Sequence, residues 1–155
     1  MRVSRRRGVI RLTLEPFEAE LLRTLLDELE ELVEVMAADH AATQRLFPAG
    51  HRDDADAAAE FRELTEQSLR DDRRQRYGRM RTELAAGSGV IEVTDETSQM
   101  WLAVLNDMRL ALGTRLGVSE EEPVELAPED PDAGAQAVYH WLTALQDSLV
   151  RAATR

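Results

Sequence analysis

The chain has 155 residues and a formal charge of −11, from 30 acidic side chains against 19 basic ones, every one of them arginine. It has no cysteine, which excludes disulfides, thiolate metal sites, iron–sulfur clusters and cysteine-based catalysis or sensing. No apolar run approaches the ~20 residues of a membrane span, and the net negative charge repels nucleic acid and anionic membranes unless a focused basic face overcomes it.

The length suits one domain over residues 1–155, large enough to bury a core without staples. It opens with a basic arm, residues 1–7, expected to be mobile. The apolar stretch that follows is short and contains Arg11, so a secretory signal does not fit and a cytoplasmic location is expected. Gly8 to Leu14 and Gly89 to Thr94 both begin Gly-Val-Ile and are rich in β-branched residues. Neither is stable alone, so they are expected to pair as a two-stranded ribbon.

The rest reads as helix. From Pro16, suited to a first helical position, Leu22, Leu25, Leu29, Leu32 and Met36 form an apolar stripe backed by Glu28, Glu30, Glu31 and Glu34. A connection over 39–54 carries His40 and His51. A second helix over about 54–70 has Ala57, Phe61, Leu64 and Ser68 on one face. At about 100° per residue, Tyr77, Met80 and Leu84 fall far from that face. A break, a kink or a change of packing partner is therefore expected near Arg70–Gln75, with a third helix from about Asp72 to Ala86. Thr94 caps a fourth helix whose stripe is Trp101, Val104, Leu105, Met108, Leu112 and Leu116, and Gly117 stops it. Residues 118–132, with three prolines and seven acids, form an acidic loop. A fifth helix, about 132–153, carries a seam of Val138, Trp141 or Leu142, Leu145, Leu149 and Ala152. The fold class expected is mainly α: a single-domain bundle of about five helices with a minor two-stranded β ribbon.

Charge is uneven. Residues 1–11 hold five arginines and no acid, and residues 70–81 hold six arginines against two aspartates. On one helix Arg70, Arg73, Arg74 and Arg81 share an arc with Tyr77, an arrangement suited to an acidic peptide or a phosphate backbone. Set against it is the plainer reading, in which these arginines pair with the acids of the first helix or form a solvated face. Arg5, Arg6 and Arg7 of the basic arm are further candidates for phosphate or partner contact, against a merely solubilising terminus. A helix-turn-helix across residues 70–73 would use the basic third helix for recognition, although that turn lacks glycine. His40 and His51 stand near Asp39, Asp53, Asp54 and Asp56 but are eleven apart, a poor spacing for metal ligands, so no metal site is expected. Asn106, Asp107 and Arg109 interrupt the fourth helix; polar groups there more often tie a central helix to its neighbours than line a pocket. No phosphate loop, nucleophile elbow or zinc-protease motif occurs, so neither an enzyme nor a cofactor is implied.

Residues 101–110, Trp-Leu-Ala-Val-Leu-Asn-Asp-Met-Arg-Leu, then Leu112 to Val118, with Ala58 to Thr65 and Val138 to Leu142, resemble an actinobacterial family, domain of unknown function two thousand and seventeen. The resemblance spans nearly the whole chain. It implies a cytoplasmic protein without an agreed active site, whose genes commonly lie beside that of the Clp protease adaptor. Some members are described as regulators of transcription linked to oxidative stress. If any member senses oxidation through cysteines, this chain cannot. The expected function is a non-enzymatic regulatory or protein-interaction module, with Arg70, Arg73, Arg74 and Arg81 as the candidate contact; the alternative is a DNA-binding regulator using the third helix and the basic arm. The long seams of the first and fifth helices suggest a homodimer, and no membrane contact is expected.

Overall fold

The computed structural model describes residues 1–35, 55–86, 89–117 and 126–155. Among them the elements are β1 (Arg2–Arg6), β2 (Val9–Thr13), α1 (Pro16–Val35), α2 (Ala55–Ala86), β3 (Val90–Val93), α3 (Asp95–Leu116) and α4 (Ala133–Ala153). The fold is mainly helical, with four helices and one small antiparallel sheet in the order β1–β2–β3 among the described residues.

The expected pairing of the two Gly-Val-Ile segments is present: Ile10 faces Val93 and Leu12 faces Ile91. The basic arm corrects the sequence reading. Residues 2–6 form a strand, with Arg2 opposite Thr13 and Arg6 opposite Val9, so the ribbon has three strands. What makes the strand possible is the two-residue connection. Arg7 and Gly8 both take positive φ, 52° and 83°, the conformation of the tight hairpin turn whose twist matches that of paired strands. The pleat then puts Ile10, Leu12 and Val93, all fully buried, on the inner face with half-buried Val3 and Arg5.

α1 begins as its sequence suggests. Pro16 is the first helical residue, and Glu18 reaches back to accept a hydrogen bond from the Glu15 amide at 2.8 Å. The other Glu18 oxygen accepts from the Met1 ammonium at 2.9 Å and from Trp141 Nε1 at 3.1 Å. One buried carboxylate therefore joins the start of β1, the start of α1 and the middle of α4. Burial alone would raise its pKa, but the hydrogen bonds from the ammonium, the Glu15 amide and the indole outweigh burial and hold it below the ordinary value.

The second correction concerns residues 55–86, which form one continuous helix where two were expected. The register change along the helical wheel is real but needs no break. Tyr77, Met80 and Leu84 are fully or almost fully buried, whereas Phe61 is 40% exposed. Burial thus changes along the helix while the backbone stays helical throughout. A continuous helix also removes the turn that a helix-turn-helix at residues 70–73 requires.

α3 is the central helix. Thr94 accepts from the Thr97 amide at 3.2 Å while Thr97 Oγ1 accepts from the Thr94 amide at 2.9 Å, a closed capping box. Trp101, Val104, Leu105, Met108 and Leu112 are buried, and Gly117 ends the helix at φ 66°. Leu22, Leu25 and Leu29 of α1 and Leu142, Leu145 and Leu149 of α4 are buried within the same chain. These leucines of the two long seams belong to the chain's own core. His40, His51 and most of the acidic loop lie outside the described residues.

Two measurements check this account. Gly8→Ala meets no atom within 4 Å but must hold φ 83°, so it should cost about 1 kcal/mol in urea unfolding. Glu18→Gln should cost about 1–3 kcal/mol at neutral pH. A carboxylate with a lowered folded pKa stabilises above its unfolded value, and that stability is lost as pH falls through the folded one. The gap between wild type and Glu18→Gln should therefore narrow on acidification from neutral pH into the carboxylate range.

Candidate functional site: an arginine-rich hairpin and helix end

The arginines of α2 face the chain's own acids. Arg74 Nε lies 2.6 Å from Glu34 Oε1 and its Nη1 3.1 Å from Asp71 Oδ1. Arg81 Nη2 lies 2.6 Å from Asp27 Oδ1 and 3.0 Å from Glu30 Oε2. The acidic back of α1 is thus the counter-surface of α2. The hydrogen bond from Arg74 lowers the Glu34 pKa, and Glu34 in turn raises that of Arg74. Arg79 sits 3.6 Å from Glu83 and 3.7 Å from Glu96. Arg76 Nε donates to the Asp72 carbonyl at 3.3 Å, and Arg70 is half-buried beside this group.

Tyr77 does not present its ring on that arc. It is fully buried, and its hydroxyl donates to Asp107 Oδ2 at 2.8 Å. Arg73 Nε approaches the same oxygen at 3.4 Å, with its side chain only 12% exposed. Burial raises the Asp107 pKa, with Arg73 and Tyr77 opposing, and burial raises that of Tyr77 far beyond the ordinary phenol range. Asp107 is one of the three polar residues noted in the centre of α3. A second, Arg109, donates to Thr143 Oγ1 at 3.0 Å and Gln146 Oε1 at 2.6 Å, and stacks 5.3 Å from the Tyr139 ring centre. These contacts tie α3 to α2 and α4, the structural role expected of them. Asn106 is exposed.

The basic arm is organised differently. Arg5 Nη1 donates to the Ala152 and Ala153 carbonyls at 3.0 and 3.2 Å, the free carbonyl end of α4. Its Nη2 donates to both Asp95 oxygens, at 3.1 and 3.3 Å, at the start of α3. Arg11 pairs with Glu92 across the outer sheet face at 3.1 Å. Arg2, Arg6 and Arg7 form no ion pair among the described residues, and neither do Arg151 and Arg155 at the end of α4. Beside β1 lies a cleft of about 520 Å³ lined by Val3, Ser4, Arg5 and Gly8 and, from α4, Ser148, Arg151, Ala152 and Arg155. A smaller hollow of about 300 Å³ on the hairpin is lined by Arg6, Arg7, Val9, Arg11 and Glu92.

The structure therefore separates the arginines singled out in the sequence. Arg73, Arg74 and Arg81 bind the chain's own carboxylates, Arg5 is a clamp, and Arg6 and Arg7 remain uncompensated. Sequence reasoning missed Arg151, whose place in a helical last turn reads as complementing the helix dipole, and Arg155 just beyond the helix; only the strand character of residues 2–6 brings them beside a second basic segment. Among the described residues no cluster of three or more histidines or acids could hold a metal ion.

The family Domain of unknown function (DUF2017) matches residues 1–153. The chain belongs to this family. Relatives of this DUF2017 chain include the protein named oxidative stress regulator AosR in Mycobacterium tuberculosis and in Mycobacterium bovis, each 31% identical over 175 residues that cover 90% of this chain and 80% of the relative. No solved structure matches it.

Replacing Tyr77 by Phe removes the hydroxyl donor to buried Asp107 and leaves Arg73 as the facing cation. Unfolding in urea should show a loss of about 1–3 kcal/mol.

Proposed function

We propose that this chain is a non-enzymatic regulatory module of the oxidative-stress response, acting in the cytoplasm by binding a protein partner. The relatives named for oxidative stress regulation support the biological setting. The observation that carries the mode of action is electrostatic. In a chain of net charge −11, Arg73, Arg74, Arg79 and Arg81 of α2 meet internal carboxylates, while Arg6 and Arg7 of the hairpin and Arg151 and Arg155 at the end of α4 line neighbouring hollows and form no ion pair among the described residues. Such a patch steers and orients an acidic partner. With no cysteine in the chain, any response to oxidant has to reach this module through something other than its own thiols.

A DNA-binding regulator is the second reading, favoured by the outward placement of Arg2, Arg6 and Arg11 on the sheet face opposite the core. A two-stranded ribbon can enter a major groove. α2 adds little to this reading, because Arg73, Arg74, Arg79 and Arg81 already meet acids. Duplex binding through four to five phosphate contacts would weaken with a log–log salt slope of about −4.

Deleting the gene from its host should alter the transcript profile after peroxide challenge, and the normal profile should return with the wild-type gene but not with one carrying Arg6→Glu and Arg151→Glu. An unchanged profile in the deletion strain would overturn the regulatory reading. Duplex binding with that salt slope would favour DNA over a protein partner.

A further inference from the structure

We infer that the open edge of β1 is a docking strand for an extended acidic segment of a partner protein, which adds to the sheet as a fourth strand. The inference rests on the protein-partner reading above and names the surface and chemistry of that contact.

The backbone supplies the first argument. The tight Arg7–Gly8 turn makes Arg6 and Val9 a hydrogen-bonded pair, and with the observed register Ser4–Arg11 and Arg2–Thr13 follow in the same class. Val3 and Arg5 then turn their amides and carbonyls away from β2. The other side of β2 is consistent with this: Ile10 and Leu12 face β3, and the Leu14 amide donates to the Gly89 carbonyl at 2.9 Å. Among the described residues nothing hydrogen-bonds the outer edge of β1. An unpaired edge is a template for another strand.

Charge supplies the second. A strand laid on this edge alternates its side chains between the outer face, beside Arg2 and Arg6, and the 520 Å³ cleft, beside Arg151 and Arg155. None of these four forms an ion pair among the described residues, so alternate carboxylates on the guest would meet uncompensated guanidinium groups on both faces. The same charges argue against a second copy of this chain. Two β1 strands aligned edge to edge would set arginines against arginines, and like charges directly opposite are destabilising. Arginines on an edge strand can serve only to block such pairing. The cleft distinguishes the docking reading from that one, since it leaves room for the guest's inward side chains between β1 and α4.

The test uses the whole chain and a fluorescein-labelled eight-residue peptide alternating glutamate with valine, at low ionic strength. Saturable binding is expected by anisotropy, together with slowed hydrogen exchange at the Val3 and Arg5 amides. The double variant Arg6→Glu, Arg151→Glu, checked for an unchanged melting temperature, should bind about tenfold or more weakly. Absence of saturable binding, unchanged exchange at Val3 and Arg5, or equal affinity of the double variant would each overturn the inference. So would displacement of the peptide by a DNA duplex of equal charge that binds more tightly. A negative peptide result beside an altered peroxide response would reject this docking mode and leave the regulatory role standing.

Discussion

A single guanidinium group joins the two ends of the chain. Arg5 is 147 positions from Ala152 in sequence, yet its Nη1 donates to the carbonyls of Ala152 and Ala153 while its Nη2 grips Asp95. The planar fork allows both grips at once, which an ammonium on a lysine stem could not reproduce. The clamp answers three requirements of the fold. It satisfies carbonyls that α4 leaves unpaired, it gives the acidic start of α3 a counter-charge, and it holds β1 close enough to α4 for a cleft to exist between them. An uncharged residue at position 5 would leave the edge strand held by β2, by Val3 on the core and by the Met1–Glu18 pair at its start.

Around this clamp the charges fall into two regimes. The acidic back of α1 and the basic face of α2 neutralise each other through Arg74 and Arg81, in positions open enough for water and salt to weaken them. Asp107 lies deep between Tyr77 and Arg73, where removing either partner strands a charge in a low-dielectric setting. The surface pairs set how α1 lies along α2. The buried set fixes which residues of α2 face α3. Arg73, Arg74, Arg79 and Arg81 are thereby engaged within the molecule, whereas Arg6, Arg7, Arg151 and Arg155, where the hairpin meets the end of α4, form no ion pair among the described residues.

Much of the fold was legible in the sequence because periodicity reports burial. Leu22, Leu25 and Leu29 of α1, Trp101 to Leu112 of the α3 stripe and Leu142, Leu145 and Leu149 of α4 lie buried where their spacing put them, with Leu32, Leu116 and Val138 half-buried, and Thr94, Gly117 and Pro16 mark helix ends by local chemistry that tertiary contacts do not override. Two elements were not legible, for different reasons. β1 hides because its alternation is Arg-Val-Ser-Arg-Arg, with a single apolar side chain, and only the Arg7–Gly8 turn signals that the chain doubles back. α2 was divided because a wheel that loses register looks like a broken helix, although it equally describes a continuous helix whose two halves differ in burial. The site suffered most. Guanidinium groups look alike in sequence whether they meet solvent or a carboxylate forty residues away, as Arg74 meets Glu34, so Arg73, Arg74 and Arg81 could not be told apart there from Arg6 and Arg7.

The exclusive use of arginine has a further consequence. Within these 155 residues the only primary amine is the α-amino group of Met1, and it is ion-paired to Glu18 with little exposure. Enzymes that acylate lysine, or join ubiquitin-like tags to it, find no acceptor side chain here. Amine-directed cross-linkers should likewise be slow to report on this protein's contacts, whereas carboxyl-directed reagents have 30 acidic side chains to address.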